Sequence, residues 1–245
     1  MMMLKFIGSG SAFNTKLGNN SAYYKEGNQM LLIDCGSNIF QRIKENNLLQ
    51  DIEHIHVLIT HTHADHVGSL ADLILYTYYS HGDFAKNKIT VYSPKDTKVC
   101  KILKHNGCVE GFHFTAHDLK NNYTEIESMS VDVTFNKSNH VKELISYSID
   151  LVFNNKTSVF YSGDISELKE DVITYIESSS YISTDIAYID TCIADYKGNV
   201  HLSLRKLSEL IKPEYRHKVW CMHLDEGFIR EEAEALGFNV VSNEL

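Results

Sequence analysis

The stretch His61-Thr62-His63-Ala64-Asp65-His66 gathers three imidazoles and a carboxylate into one short segment. Imidazole nitrogen and carboxylate oxygen are the donors that zinc-like divalent ions take. The stretch follows the apolar run Val57-Leu58-Ile59 and precedes a helical pattern starting near Ser69. It is therefore expected on a loop at the end of a buried strand, where side chains can converge on a ligand. Side chains alternate with period two on extended backbone, so His61 and His63 can point the same way. Asp65 and His66 turn away from that pair and could serve a second ion. The chain holds 13 His among 245 residues. Chance would give this spacing on the order of a few times per thousand such chains.

Elements able to position such a loop are legible along the chain. Apolar or alternating runs bounded by turn residues predict strands at 4–7, 22–25, 30–34, 56–60, 88–92, 130–136, 144–153, 157–162, 185–190 and 218–222. Helical patterns fall at 37–45, 69–79, 97–104, 167–177, 202–211 and 230–236. Strands arrive in runs and then alternate with helices, which fits two packed sheets with helices outside. No Gly/Ser-rich linker and no repeat of solenoid length divides the chain, and the only prolines are Pro94 and Pro213. One domain spanning residues 1–245 is expected.

Composition narrows the function classes. With 43% hydrophobic and 22% charged residues, the chain can build a sizeable core. No apolar run approaches the roughly 18 residues of a membrane helix, so no membrane partner is expected. The segment Met1–Ile7 reads as a first strand rather than a signal peptide, which points to the cytoplasm. Cys35, Cys100, Cys108, Cys192 and Cys221 are odd in number and form no Cys-x-x-Cys pair. Neither a disulfide framework nor a cysteine zinc site is expected. A net charge of −9 argues against a grip on long nucleic acid, which needs many phosphate contacts. Lys86, Lys88, Lys95, Lys98, Lys101 and Lys104 form a local exception, read as a solvated helix face with its preceding loop.

The residues resemble the metallo-β-lactamase superfamily. Its His-x-His-x-Asp-His motif matches His61, His63, Asp65 and His66 without a departure. The resemblance implies an α+β fold, a four-layer αββα sandwich, with His140, Asp164 and His223 as further ligands. His140 follows a strand-like run, Asp164 lies in Tyr161-Ser162-Gly163-Asp164, and His223 ends Val219-Trp220-Cys221-Met222-His223. One ion would sit on His61, His63 and His140 and another on Asp65, His66 and His223, with Asp164 bridging. Zinc is the first expectation for both, and manganese suits the same donors. Each later position has a plainer reading: His140 as a loop histidine with rivals at His105, His113 and His117, Asp164 as a helix cap, and His223 as a core histidine.

Within the superfamily, Gly8-Ser9-Gly10-Ser11-Ala12-Phe13, Asn19-Asn20-Ser21 and Leu31-Leu32-Ile33-Asp34-Cys35-Gly36 resemble the tRNase Z-type phosphodiesterases. His201, in Asn199-Val200-His201-Leu202-Ser203, sits where that group carries an extra active-site histidine. Enzymes that process tRNA carry a long clamp arm between the ligands matching His140 and Asp164. Only residues 141–163 lie there, and they read as a strand pair. The sequence after His223 also departs from that group. A compact acidic relative is most similar to the anti-Pycsar cyclic nucleotide phosphodiesterases. That resemblance implies hydrolysis of 3′,5′-cyclic mononucleotides, with His201 and Asp65 as catalytic residues, and a homodimer whose partner loop closes the site. The alternatives are a tRNA 3′-end endonuclease, a lactone or thioester hydrolase, or a non-enzymatic cyclic-nucleotide binder. Tyr76, Tyr78, Tyr79 and Phe84 are read as packing residues that could alternatively stack on a base. Asn19, Asn20 and Ser21 are read as turn residues able to contact phosphate or sugar.

Overall fold

A computed structural model describes residues 4–119, 121–178 and 183–244. Its first sheet runs in order through β1 (Lys5–Gly8), β2 (Ser21–Glu26), β3 (Gln29–Ile33), β4 (His54–Leu58), β5 (Ile89–Pro94) and β6 (Thr115–Leu119). The first three strands are antiparallel, and β3 through β6 pair in parallel. The second sheet holds β7 (Tyr123–Ile126), β8 (Val131–Ser138), β9 (Ser146–Phe153), β10 (Thr157–Tyr161), β11 (Ile186–Asp190), β12 (Val219–Met222) and β13 (Asn239–Val240). There β7 to β10 are antiparallel and β10 to β13 parallel.

Strand periodicity explains why these runs are apolar throughout rather than alternating. Met30 and Leu32 of β3 face one apolar cluster, while Leu31 and Ile33 face another. In β10 to β12, Val159, Tyr161, Tyr188 and Met222 turn to the second cluster, and Phe160, Ala187, Ile189 and Cys221 to a third. A sheet covered on both faces needs apolar residues at every position. The outer clusters are completed by helices. Packed on the first sheet are α1 (Ile39–Glu45), α3 (Leu70–Tyr79) and α4 (Val99–His105), through Ile39, Ile43, Leu70, Leu73, Ile74, Val99 and Leu103. The one-turn α2 (Ala64–Val67) lies between α1 and α3 in sequence. On the second sheet, α5 (Glu170–Ile176), α6 (Leu204–Leu210) and α7 (Arg230–Ala235) contribute Ile176, Leu204, Leu207 and Ala233. The layers are helix, sheet, sheet, helix, as expected. Each fully buried side chain of this kind stabilises by about 1.5–3 kcal/mol, against about 0–1 kcal/mol for an exposed ion pair, so the three clusters hold the fold.

Two expectations need correction. Lys88 is not on a solvated face: it is buried, and its Nζ donates to the carbonyls of Thr77 at 3.3 Å, Asp83 at 2.7 Å and His81. An ammonium there satisfies backbone acceptors around the end of α3. The strands β6, β7 and β13 are additional to those predicted. The first two are sheet edges with polar sequences, Thr-Ala-His-Asp-Leu and Tyr-Thr-Glu-Ile, and the third is two residues long. Cys35, Cys108, Cys192 and Cys221 are buried free thiols, and Cys100 is half-buried. Among the described residues, no helix is long and apolar enough to cross a membrane.

Candidate metal centre

Parallel pairing aligns the carboxyl ends of β3 with β4 and of β10 with β11 and β12, and there the candidate ligands meet. Such ends are the usual place for a ligand in an open sheet. His61 lies three residues beyond the end of β4, and one helical turn, α2, swings Asp65 and His66 inward, where both are buried. His140 lies in the connection from β8 to β9, Asp164 follows β10, and His223 follows β12. Gly163, just before Asp164, has φ +57°, and a Cβ there would meet Tyr147 O at 2.7 Å. Only glycine turns the chain this sharply against β9.

Two donor groups result, and they share one carboxylate. His63 Nδ1 lies 3.0 Å from His61 Nε2 and 3.2 Å from His140 Nε2. Asp164 Oδ2 faces the same group, 3.8 Å from His61 Nε2 and 3.7 Å from His140 Nε2. Its other oxygen, Oδ1, lies 3.2 Å from His66 Nε2 and 3.4 Å from His223 Nε2. Asp65 Oδ2 approaches those two nitrogens as well, at 3.2 and 3.4 Å. The sets His61, His63, His140, Asp164 and Asp65, His66, Asp164, His223 are each compact enough to hold a metal ion.

The hydrogen bonds behind these rings fix which nitrogen offers a lone pair. Thr60 Oγ1 gives its proton to Asp34 Oδ2 at 2.8 Å, so it accepts from His61 Nδ1 at 3.0 Å. His140 Nδ1 donates to Val200 O at 3.0 Å, and His66 Nδ1 to Asp34 Oδ2 at 2.7 Å. His223 Nδ1 sits 3.3 Å from Asp190 Oδ1. In the neutral rings, the Nε2 atoms of His61, His66 and His140 then present lone pairs inward, the arrangement metal-binding histidines use. The carboxylate beside Nδ1 favours the same tautomer in His223 without a well-formed hydrogen bond. His66 Nε2 and Asp164 Oδ1, both buried, have no well-formed hydrogen bond among the described residues. Buried polar atoms are rarely left so. A cation would satisfy both.

Electrostatics fits the same ligand. Burial, and then the neighbouring His66, push His61 well below the ordinary histidine range; burial and His140 lower His63. Both are suited to be neutral ligands. His66 and His223 go the other way. Burial opposes their charge, but the surrounding carboxylates, Asp164 foremost, outweigh it and raise His223 to about 10. The carboxylates of Asp65 and Asp164 thus demand positive charge, which protons or metal ions can meet.

His201 joins the site at its open side. Its Nδ1 donates to Asp190 Oδ2 at 2.8 Å, its ring stacks on His223 with centroids 4.9 Å apart, and its side chain is 25% exposed. Burial disfavours its charged form, but Asp190 and Asp164 together overcome that and raise its pKa. Asp164, Asp190, His201 and His223 form a third compact donor group. There, however, the direct bond to Asp190 occupies His201 Nδ1, so a hydrogen-bonded pair is the better description. Ser203 accepts from Lys206 N at 3.3 Å and caps α6 just beyond His201.

Two residues without an assigned role in the sequence prove central. Asp34 is fully buried and accepts from Thr60 N, Thr60 Oγ1 and His66 Nδ1; Asp190 is fully buried and accepts from Ile165 N and His201 Nδ1. The available signal was an acidic residue ending an apolar strand, in Leu31-Leu32-Ile33-Asp34 and Ala187-Tyr188-Ile189-Asp190. Asn20 and Ser21 serve the framework: Asn20 Oδ1 accepts from His223 N at 3.2 Å, and Ser21 Oγ donates to Asp34 O at 2.8 Å. Asn19 instead lines the cavity over the site, a space of about 560 Å³ that also reaches Phe13, Asn38, His63, His140 and His201. Tyr76, Tyr78, Tyr79 and Phe84 do not line it.

Comparison with known proteins identifies the fold and the family. The structure superimposes on a metallo-β-lactamase fold protein, YhfI from Bacillus subtilis, with a TM-score of 0.74 at 16% identity, covering 98% of this chain and 95% of that one. The short form of human tRNase Z gives 0.72 at 14% identity, covering 100% and 98%. Both likenesses establish the metallo-β-lactamase fold. In sequence, an Anti-Pycsar protein Apyc1 from Bacillus phage 010DV004 is 31% identical over 243 residues, 91% of this chain and 88% of the phage protein. Residues 2–243 match the family described under that same name, and the chain belongs to the Anti-Pycsar protein Apyc1 family.

Proposed function

We propose that this protein is a dinuclear metal-dependent phosphodiesterase that opens 3′,5′-cyclic mononucleotides to nucleoside monophosphates and so counters cyclic-nucleotide antiphage signalling. The observation that carries this reading is the carboxylate of Asp164, whose two oxygens face separate donor groups in a chain of the Anti-Pycsar family. His61, His63 and His140 would hold one ion, Asp65, His66 and His223 the other, and Asp164 would serve both. Zinc or manganese held by these residues would supply a nucleophile ready near neutral pH and would offset the negative charge of the phosphate.

The chain's own residues do the rest. Asp34 accepts from His66 Nδ1 and Asp190 from His201 Nδ1, and the Asp190 carboxylate also faces His223 Nδ1 at 3.3 Å. His201, anchored at Nδ1, is left with Nε2 to give a proton to the departing ribose oxygen, which is a poor leaving group without it. The cavity volume of about 560 Å³ lies within the range of about 300–1,000 Å³ usual for small-molecule sites. A tRNA substrate fits less well: residues 146–161 are taken up by β9 and β10, and the net charge is −9. We place the activity in the bacterial cytoplasm, with the protein as a homodimer.

The deciding experiment measures initial rates of the metal-loaded protein on 3′,5′-cyclic CMP, UMP, AMP and GMP, a tRNA precursor and a lactone, each with a chelated control. Ring opening of the cyclic nucleotides alone, abolished by chelator, is the expected result. Reaction of only the tRNA or only the lactone would keep the centre and overturn the substrate.

A further inference from the structure

Phe13 is 87% exposed, more than any other large hydrophobic side chain among the described residues. Yet the segment carrying it is firmly held. Ser11 N donates to Leu224 O and Leu224 N to Ser9 O, both at 2.9 Å, tying the segment to the residue after His223. Asn14 N donates to Ser11 O and Gly18 N to Asn14 O, both at 3.1 Å, closing the turn. On one side of Phe13, Ala12 O accepts from Asn19 Nδ2 at 3.4 Å. On the other, Asn14 is buried and its Nδ2 donates to Leu224 O at 3.0 Å. A slack loop could fold a phenyl ring back onto apolar surface. This one keeps it in water, where it forgoes the gain of burial.

The ring stands on the wall of the cavity that contains Asp164, His201 and His223, and it is the only Phe, Tyr or Trp among the described residues lining that cavity. The neighbouring wall is polar and tied to itself: Asn19 N donates to Asn38 Oδ1 at 3.0 Å, and Asn38 N to Asn19 Oδ1 at 3.3 Å. A flat heterocycle entering here meets one flat apolar partner.

We propose that Phe13 is the surface on which the substrate's nucleobase stacks, an inference that rests on the cyclic-nucleotide reading above. Stacking tolerates base identity, because every base presents a π face. Phe13 therefore adds affinity for all four bases and separates nucleotides from phosphodiesters that lack a base. Its effect falls on binding rather than on the bond-breaking step.

The test compares the metal-loaded native protein with Phe13→Ala and Phe13→Trp. The substrates are 3′,5′-cyclic UMP, 3′,5′-cyclic AMP and the 3,5-cyclic phosphate of 1-O-methylribose, which has no base. Binding of the product UMP is followed by calorimetry. Phe13→Ala is expected to raise KM for both nucleotides and weaken UMP binding by about tenfold, within the range of stacking on an aromatic side chain. Phe13→Trp should restore both, and kcat/KM for the base-free compound should stay within a factor of about two. An unchanged KM for the nucleotides, or an equal loss on the base-free compound, would overturn the inference. A native protein that opens no cyclic nucleotide would overturn the functional reading and this inference with it, and that failure is distinct because it shows before any substitution is made.

Discussion

Replacing His201 by Ala removes a proton donor while leaving all seven proposed metal donors in place. We expect bound metal to be unchanged and kcat to fall by about 10²–10⁴-fold, the usual contribution of placed acid catalysis. Loss of metal in this variant, measured by elemental analysis, would make His201 a ligand instead. Asp34→Ala acts one bond further out: it strips the acceptor from His66 Nδ1 and from Thr60, which in turn holds His61. Metal affinity should fall by about 10–100-fold, as for other partners of metal-bound histidine, and a competitive chelator titration reads it. At this scale the sequence was most legible where chemistry is dense. His61, His63, Asp65 and His66 declare themselves by type and spacing alone. Asp34 and Asp190 do not, since a lone carboxylate ending an apolar strand also reads as a turn. Only the fold places each against a histidine far away in sequence.

The strands β3 and β4 carry two constraints, one beyond the carboxyl end of β3 and one within β4. Beyond the end of β3, Gly36 lies so close to the loop of the metal motif that a Cβ would meet Asp65 O at 1.9 Å. Gly36→Ala should destabilise the fold by about 1–3 kcal/mol or more, as overpacking does, and should loosen the metal together with the stability in a melting experiment. In the middle of β4, His56 is buried against Tyr92 Oη at 3.0 Å, Gln29 Oε1 at 3.0 Å and Ser128 Oγ at 3.3 Å, with His54 and His117 nearby. Burial first, then the charges of those two histidines, bring its pKa from 6.5 down to about 4. The unfolded chain therefore binds a proton that the native one refuses between those values. Stability from this group is full above pH 6.5 and drains away as pH falls towards 4. In His56→Gln, the melting temperature should drop less between pH 7 and pH 5 than in the native protein; an equal drop would place the acid sensitivity elsewhere. Periodicity disclosed the central strands and the larger helices to within a few residues, because each buries a face or two. The edges β6 and β7 pair on one side only, which leaves their sequences polar and without a readable pattern.

Across the whole molecule, acidity, layering and a small cavity belong to one design. A chain of net charge −9 repels long polyanions, and a confined site holding the proposed metal ions would still attract a small one. The layering was inferable from runs of strands and helices, whereas the cavity was not, because its walls come from segments as distant as Phe13, Asn38, His140 and His201. The proposed homodimer has a candidate surface. Tyr79, Phe84, Val109 and Phe112 are all about half exposed or more, and Tyr79 and Phe84 touch ring to ring at 6.1 Å. Exposed apolar patches of this kind mark association sites. Sedimentation should give twice the chain mass for the native protein and a shift to the monomer in Phe84→Asp combined with Phe112→Asp; a native monomer would refute the dimer. The central claim, a two-ion centre that opens cyclic phosphodiesters, is tested most directly by titrating metal-stripped protein with zinc while ³¹P NMR follows 3′,5′-cyclic UMP. Hydrolysis to the monophosphate that grows in as the second ion binds to each chain is the expected result. Hydrolysis without metal, or two bound ions per chain with the cyclic ester intact, would contradict it.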